Sequence, residues 1–212
     1  MAQARLLTEN EESRLTELKQ GQPESAEALQ ALVEEIKTRT VRAALDDSQV
    51  AQRLEGKRSR VVGTDFTEEK PRDGERIESR LAEVGIYDYD DNVLIVPIID
   101  LRSGVVAAIE ERRGYRPSLA AEEIEEAKNI ALAHREFQSL TEYSELEVVA
   151  FPARAAVTES HPGFGHRCVT LYFWTGGEQP ERVSQAVVDL STQEVVPGDA
   201  EGEPFVEPQG LA

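Results

Sequence analysis

The sequence is poor in cysteine, aromatic residues and long apolar runs, and each shortage excludes a class of protein. Its single cysteine, Cys168, excludes an intrachain disulfide and is expected to be a small buried side chain. Aromatic residues make up 6% of the 212 residues and apolar residues 40%, which predicts mostly aliphatic cores. The longest apolar run, residues 93–99, is too short to span a bilayer, and the N-terminus lacks the layout of a secretory signal. We therefore expect a cytoplasmic protein.

Positive charge is also scarce in this chain. It has 41 acidic residues against 23 basic ones, and the formal net charge is −18. Such a charge repels nucleic-acid phosphates and anionic membrane surfaces. Composition therefore argues against nucleic acid and membrane as partners, and it leaves a protein partner or self-association open.

Motifs with catalytic or metal-binding spacing are missing. The sequence has no nucleophile elbow, P-loop, dinucleotide fingerprint or Cys-x-x-Cys pair. The three histidines, His134, His161 and His166, with Cys168 nearby, do not make up the ligand set of a closed zinc site. The acidic turn at residues 88–92 lacks the glycine and the terminal glutamate of an EF-hand loop. We predict no catalytic residue, no metal site and no cofactor.

The first half of the chain is predicted to hold a helix followed by strands. Apolar residues recur at helical spacing over residues 29–45, and residues 46–48 interrupt this helix before a short helical stretch at 49–54. Pro97 cannot donate to a sheet ladder, so its strand should lie at an edge or carry a bulge. Strands are predicted at residues 60–66, 77–87, 93–99 and 105–109.

The second half repeats this plan. A helix opens at Ser118 with glutamates clustered at its positive end, and its apolar stripe runs to Phe137. The Asp100-Leu101 and Asp189-Leu190 turns have similar surroundings, and Gly74 to Arg76 matches Gly165 to Arg167. The pattern indicates an α+β fold in which each of two units packs a helix on a curled antiparallel four-stranded sheet. Strands are predicted at residues 146–151, 154–158, 167–174, 182–190 and 194–196.

Domain boundaries follow from these elements. Residues 8–20 are polar and read as a solvent-exposed helix or a frayed arm. We predict an N-terminal helix or arm over residues 1–23, a first α-β-β-β-β domain over 24–114, a second over 115–200 and an extended tail over 201–212.

Three stretches resemble one known family. The segment IIDLRSGVVAAIEERRGYRPSLAAEEIEEAKNIAL, residues 98–132, resembles the junction between the second and third N-terminal domains of copper amine oxidases. Residues 167–196 resemble the end of the third of these domains, and residues 41–66 resemble the helix and first strand of the second. Both domains are of the cystatin-like type, so the resemblance implies tandem cystatin-like domains.

The resemblance does not carry over that family's chemistry. The family makes its quinone cofactor from a tyrosine in a Thr-x-x-Asn-Tyr-Asp/Glu setting and holds copper with three histidines. Around Tyr87, Ile86 stands where the asparagine belongs and Glu83 where the threonine would be. We expect the catalytic β-sandwich of the family to be absent, so the resemblance implies non-catalytic modules only.

These observations favour a non-enzymatic binding or assembly module, with a separately encoded catalytic subunit as one partner. Tyr172 and Trp174 form the candidate interaction surface, because strand alternation places them on one face and Phe173 on the other, in the core. The alternative is a small-ligand-binding protein or enzyme that uses the concave face of a sheet, with His134, Glu142 or Tyr172 in its pocket.

Overall fold

The computed structural model describes residues 5–8, 10–14, 24–68, 80–153, 159–177 and 179–197. The chain divides into two compact units, Met1–Ala120 and Ala121–Ala212. Each unit contains a four-stranded antiparallel sheet whose strands lie in sequence order, together with helices, so the predicted α+β class is confirmed. Within the described residues, no helix is long and apolar enough to cross a membrane.

The first unit has two helices before its sheet, α1 (Glu24–Asp46) and α2 (Ser48–Leu54). Asp47 separates them because its carboxylate accepts hydrogen bonds from the backbone N–H groups of Gln49 and Val50 and thereby caps α2. The predicted interruption is confirmed. The strands are β1 (Ser59–Glu68), β2 (Arg80–Asp88), β3 (Val93–Asp100) and β4 (Val105–Arg113).

Pro97 disturbs the ladder in the middle of this sheet. Of the two positions that we expected for this proline, an edge strand or a bulge, the structure has the bulge, because β3 lies between β2 and β4. The register between β3 and β4 shifts between Ile98 and Ile99, and no described ladder pair joins β2 to Val96 or Pro97. Proline has no N–H group, so Pro97 cannot donate a hydrogen bond to β2, and this accounts for the missing pairs between β2 and β3.

The core of the first unit extends to the N-terminal segment. Leu6 and Leu7 are 7% and 3% exposed and belong to the cluster that α1 forms with the sheet. Their backbone N–H groups both donate to the carbonyl oxygen of Leu101, at 3.1 and 2.9 Å. The expectation of a solvent-exposed helix or frayed arm did not foresee this attachment, which comes from the two leucines before the polar stretch.

A capping box holds the same segment. The N–H of Thr8 donates to Glu11 Oε2 at 2.8 Å, and the N–H of Glu11 donates to Thr8 Oγ1 at 3.3 Å, ahead of a helical turn at residues 10–14. Arg39 of α1 donates to Glu11 at 2.6 Å. Burial raises the pKa of Glu11, but the hydrogen bonds from Thr8 and Arg39 outweigh burial and lower it.

The second unit begins with helix α3 (Ala121–Ala133), followed by a 3-10 helix (Arg135–Glu142). The predicted helix from Ser118 to Phe137 is therefore too long, because His134 adopts extended backbone angles between the two segments. The predicted strand at residues 154–158 lies outside the described residues. The strands of the sheet are β5 (Leu146–Pro152), β6 (Cys168–Thr175), β7 (Arg182–Asp189) and β8 (Glu194–Val196).

Three hairpins share one turn. In each, an aspartate carboxylate oxygen accepts hydrogen bonds from the N–H groups two and three residues later, and the residue four positions later has a positive φ. The aspartates are Asp88, Asp100 and Asp189, and the positive-φ residues are Asn92, Gly104 and Gln193. The hairpins β2–β3, β3–β4 and β7–β8 are thus closed by the same chemistry.

The leucine that follows the aspartate makes an equivalent backbone contact in both units. The N–H of Leu101 donates to the carbonyl of Arg80, and the N–H of Leu190 donates to the carbonyl of Arg167, at 3.0 and 2.8 Å. Arg80 and Arg167 therefore make equivalent backbone contacts in the two units, while the sequence match of residues 74–76 to residues 165–167 lies outside the described residues on its first side.

Candidate functional site

Tyr172 and Trp174 lie on the face of β6 that points away from the helices. Phe173, between them, is fully buried, and its ring stacks on Phe137 of the 3-10 helix with the centroids 6.2 Å apart. Because side chains alternate along a strand, Tyr172 and Trp174 point the other way, where both are partly exposed. The prediction that Phe173 belongs to the core is confirmed.

Strand β5 adds two apolar side chains to the same face. Val149 pairs with Tyr172, and Phe151 packs edge-on against the Tyr172 ring with the centroids 6.0 Å apart. Val149 is 44% exposed and Phe151 48%. We call the four side chains of Val149, Phe151, Tyr172 and Trp174 the β5–β6 face. Sequence reasoning missed its β5 half, although the alternation of residues 146–151 carries the signal.

A cation borders this face. The guanidinium of Arg182, on β7, lies 5.6 Å from the centroid of the Tyr172 ring, within cation–π range. Glu147 pairs with Trp174 across the β5–β6 ladder and is exposed. The face therefore consists of an aromatic and aliphatic centre with charged side chains beside it.

The β5–β6 face ends at a sheet edge that no strand of the described residues covers, because β5 is the first strand in the order β5-β6-β7-β8. We call this the open edge of β5. The Gly176 N–H donates to the Glu145 carbonyl at 2.9 Å. At the other end of the strand, the Ala153 N–H donates to the Cys168 carbonyl, also at 2.9 Å. Since donors alternate in direction along an antiparallel strand, the odd-numbered residues of β5 direct their backbone groups towards β6.

The even-numbered residues of β5 direct their backbone groups to the open edge. The N–H and C=O groups of Leu146, Val148 and Ala150 have no hydrogen-bond partner within the part of the chain that the structure describes. Pro152 occupies the next such position and has no N–H to offer. The edge therefore offers an N–H and a C=O group at each of three alternate residues, and no N–H group at Pro152.

The other sheet edges carry features that discourage strand pairing. Strand β4 ends in the charged run at residues 110–113, where Arg112 contacts Glu83 and Glu110 at 2.8 Å each. Hydrogen bonds to these two carboxylates raise the pKa of Arg112 still further. Strand β1 has a register shift beside Gly63, and β8 is only three residues long. Charges, bulges and short strands protect edges, so β5 is the least protected of the four.

Unpaired carboxylates accompany the β5 edge. Glu142, Glu145 and Glu147 are all exposed, and none forms an ion pair with a lysine or arginine in the described residues. Together with the net charge of −18, they make the surroundings of this edge negative.

Beyond the β5–β6 face, the loop at residues 159–166 contacts buried Cys168, whose thiol donates to the Gly163 carbonyl oxygen at 3.6 Å. His161 Nε2 lies 2.8 Å from the Pro197 carbonyl oxygen. His166 Nδ1 lies 2.6 Å from Asp189 Oδ2. Each imidazole has its own partner, and the described residues contain no group of three potential metal ligands.

The carboxylates of the acidic turn in the first unit bind a lysine and a backbone N–H group of the same unit. Lys57 Nζ lies 2.8 Å from Asp88 Oδ2 and also contacts Asp91, while the N–H of Arg58 donates to Asp90 at 2.9 Å. Hydrogen bonds to Asp88 and Asp91 raise the pKa of Lys57, and its hydrogen bond lowers the pKa of Asp91. The turn therefore uses its carboxylates to hold the chain together.

A buried ion pair connects α3 to the start of β6. Arg167 Nε donates to Glu123 Oε1 at 2.9 Å, and Nη2 donates to Oε2 at 2.8 Å. The arginine side chain is 2% exposed and the glutamate 0%. Sequence reasoning assigned Glu123 to the positive end of the helix and missed the pair, because no local pattern connects the two residues.

The remaining candidates from the sequence do not assemble into a pocket. His134 lies beside Phe137 on the helix-covered side of the sheet, Tyr172 lies on the opposite side, and Glu142 is exposed. In the first unit, Tyr87 is a buried strand residue whose ring packs edge-on against Tyr89.

Comparisons with known proteins give similarity in structure and none in sequence family. No family model matches the chain, and no curated protein matches it. Among solved structures, the chain is similar to a copper-containing benzylamine oxidase from Hansenula polymorpha, with 16% sequence identity and a TM-score of 0.46. The match covers 66% of this chain and 25% of the oxidase chain, so it spans about a quarter of that protein's length.

Proposed function

We propose that this chain is a binding or assembly module that contacts a protein partner through the β5–β6 face and the open edge of β5. The observation that carries the proposal is the position of Val149 and Phe151. Both are about half exposed and apolar, and both lie on a strand whose outer backbone groups have no partner among the described residues. A partner that covered them would bury apolar surface and complete hydrogen bonds together.

The side chains of this face suit a binding surface. Aromatic residues are enriched among the residues that dominate binding energy, and Phe151 and Tyr172 already hold each other in place. Covering a side chain such as Phe151 contributes roughly 1.5–3 kcal/mol relative to leaving it in water. Arg182 and Glu147 then supply a polar rim around the apolar centre.

The finer part of the proposal is that the two units are tandem cystatin-like domains, over residues 24–114 and 115–200, without a catalytic role. It is supported by the resemblance of residues 41–66, 98–132 and 167–196 to copper amine oxidase N-terminal domains, and by the aspartate turn common to both units. A separately encoded catalytic subunit is accordingly the first partner to examine.

The test compares two β5 substitutions with a matched control. The chain is tagged, recovered from the organism that encodes it as wild type, as the double variant Val149→Ser with Phe151→Ser, and as Leu45→Ser, and the accompanying proteins are quantified. Leu45 is 42% exposed on α1 of the first unit. We expect a stoichiometric partner whose recovery falls about tenfold or more in the double variant and stays unchanged in Leu45→Ser. No stoichiometric partner, or equal recovery from all three proteins, would contradict the proposal.

A further inference from the structure

We infer that the open edge of β5 binds an extended segment of its partner by strand addition, and that this segment carries two apolar residues and one basic residue at alternate positions. In the direction of the partner chain, the order is apolar, any residue, apolar, any residue, then lysine or arginine. The inference rests on the proposed function, since it specifies the partner at the same surface.

The backbone of β5 sets the length and position of the added strand. The outward N–H and C=O groups of Leu146, Val148 and Ala150 alternate with inward ones, which is the pattern on which an additional strand can pair. The added strand is taken as antiparallel because every ladder of this sheet is antiparallel. Pro152 has no N–H at the following outward position. The β5 N–H groups that donate to the partner therefore end at Ala150, and the partner residue opposite Phe151 lies just beyond the last of them.

The side chains on the β5–β6 face set the partner's sequence. In an antiparallel ladder, the partner residues opposite Glu147, Val149 and Phe151 form the pairs without direct backbone hydrogen bonds, in which the side chains approach most closely. Cross-strand pairs favour apolar next to apolar and opposite charges next to each other. The residues opposite Phe151 and Val149 are therefore apolar, and the residue opposite Glu147 is lysine or arginine.

The charge around the edge favours the same partner. Glu142 and Glu145 precede the strand, are exposed and have no described cation beside them. The partner residues that follow the basic position run towards these two carboxylates, because the added strand is antiparallel. An extended segment with basic residues at this end is thus complementary to the edge.

A second copy of the chain fits the edge less well. Strand β5, Leu146–Pro152, contains no basic residue, so no register of β5 against itself gives Glu147 a cation. Pairing centred on Val149 sets Glu147 of each copy against Phe151 of the other. Two chains that each carry a net charge of −18 also repel one another.

The test titrates the full chain with the synthetic peptide Ser-Thr-Ile-Thr-Val-Thr-Lys-Thr-Ser, which places isoleucine, valine and lysine opposite Phe151, Val149 and Glu147. One altered peptide has the lysine replaced by glutamate. A second is N-methylated on the three threonines opposite Leu146, Val148 and Ala150, whose N–H groups would donate to β5. A matched control is N-methylated on the isoleucine, valine and lysine, whose N–H groups point away from β5.

The expected results follow from this geometry. The parent peptide binds saturably and slows amide exchange at the outward residues of β5, and the peptide methylated on the isoleucine, valine and lysine still binds. Methylation of the three threonines abolishes binding. Replacement of the lysine by glutamate weakens binding about threefold to tenfold, and the variant Glu147→Lys reverses this preference.

Three outcomes would overturn the inference: no binding of the parent peptide, equal binding of the two methylated peptides, or a dimer in solution that Phe151→Ser dissociates. If no peptide binds while the double variant Val149→Ser with Phe151→Ser still loses its cellular partner, strand addition is wrong and the proposed function stands. If no peptide binds and the double variant also keeps its cellular partner, the proposed function is wrong as well.

Discussion

Arg167 and Glu123 form two parallel hydrogen bonds, of 2.9 and 2.8 Å, at a site where both side chains are almost completely removed from water. The bidentate geometry matches the planar guanidinium to the carboxylate and connects the first turn of α3 to the residue before β6. Neither charge is near enough to the surface to be hydrated if the other is removed.

Breaking this pair should destabilise the second unit strongly. Arg167→Met leaves the Glu123 carboxylate buried without its counter-charge, and we expect a loss of about 3–5 kcal/mol. The double variant Arg167→Met with Glu123→Leu should recover most of that loss. Urea unfolding followed by the fluorescence of Trp174, the single tryptophan of the chain, reports on this unit. A double variant as unstable as the sum of the two single variants would contradict the prediction.

The positive φ of Gln193 makes the β7–β8 turn sensitive to residue type. Its φ of 61° places a side chain in the left-handed region, which costs a non-glycine residue roughly 1–2 kcal/mol. Gln193→Gly should therefore stabilise the unit by up to about 1 kcal/mol, and β-branched Gln193→Val should destabilise it. Loss of the exposed hydrogen bond from Gln193 to Glu126 offsets little of the gain. The midpoints of urea unfolding should move in opposite directions, and a shift in the same direction would refute the account.

The acidic turn should give the first unit part of its pH dependence. The hydrogen bond from Lys57 lowers the pKa of Asp91, so this carboxylate contributes stability above its unfolded pKa and loses it as the pH falls through the folded value. The pKa of Lys57 is raised, so its own contribution is lost only as the pH rises far into the alkaline range. Lys57→Met should therefore flatten the dependence of Tm on pH below about pH 5.

Circular dichroism measured along this pH range checks the Lys57→Met prediction. Arg42→Met is a suitable control, because Arg42 and Asp46 form an ion pair in which both side chains are largely exposed. Its curve should run parallel to that of the wild type. A Lys57→Met curve that is also parallel would show that the turn does not contribute to the acid sensitivity of the unit.

The N-terminal leucines should matter to the first unit as much as residues of its sheet. Leu7→Ala removes a nearly buried side chain from the core cluster and should cost about 2–4 kcal/mol. Leu45→Ala, at an exposed position of α1, should change stability by less than about 0.5 kcal/mol. Urea unfolding followed by circular dichroism compares the two variants. Equal effects would mean that residues 5–8 are not part of the core.

Local sequence patterns were sufficient to predict most of the helices and strands. The bounds predicted for β8 agree with the structure, and the break at Asp47 follows from a capping side chain that a reader of the sequence can recognise. Repeated Asp-Leu turns pointed to two similar units, but the aspartate turn at Asp88 was treated as an acidic cluster. The signal that identifies this turn is the spacing of four residues between the aspartate and the residue with a positive φ.

The features that could not be predicted from the sequence depend on contacts between distant segments. The pairing of Glu123 with Arg167 becomes visible only when α3 packs on its sheet, since either residue alone resembles an exposed charge. Tyr172 and Trp174 were assigned to a common face by strand alternation. Their neighbours Val149 and Phe151 were not identified, because alternation does not reveal which strand will form an open edge.

Pro152 has a further consequence for the behaviour of this protein in a crowded cell. An open edge with exposed valine and phenylalanine side chains is a template on which chains can stack into fibrils. Pro152 offers no donor and Glu147 places a carboxylate on the strand, and both features discourage edge-to-edge pairing between chains. The same edge can therefore bind one short extended segment while it remains resistant to aggregation.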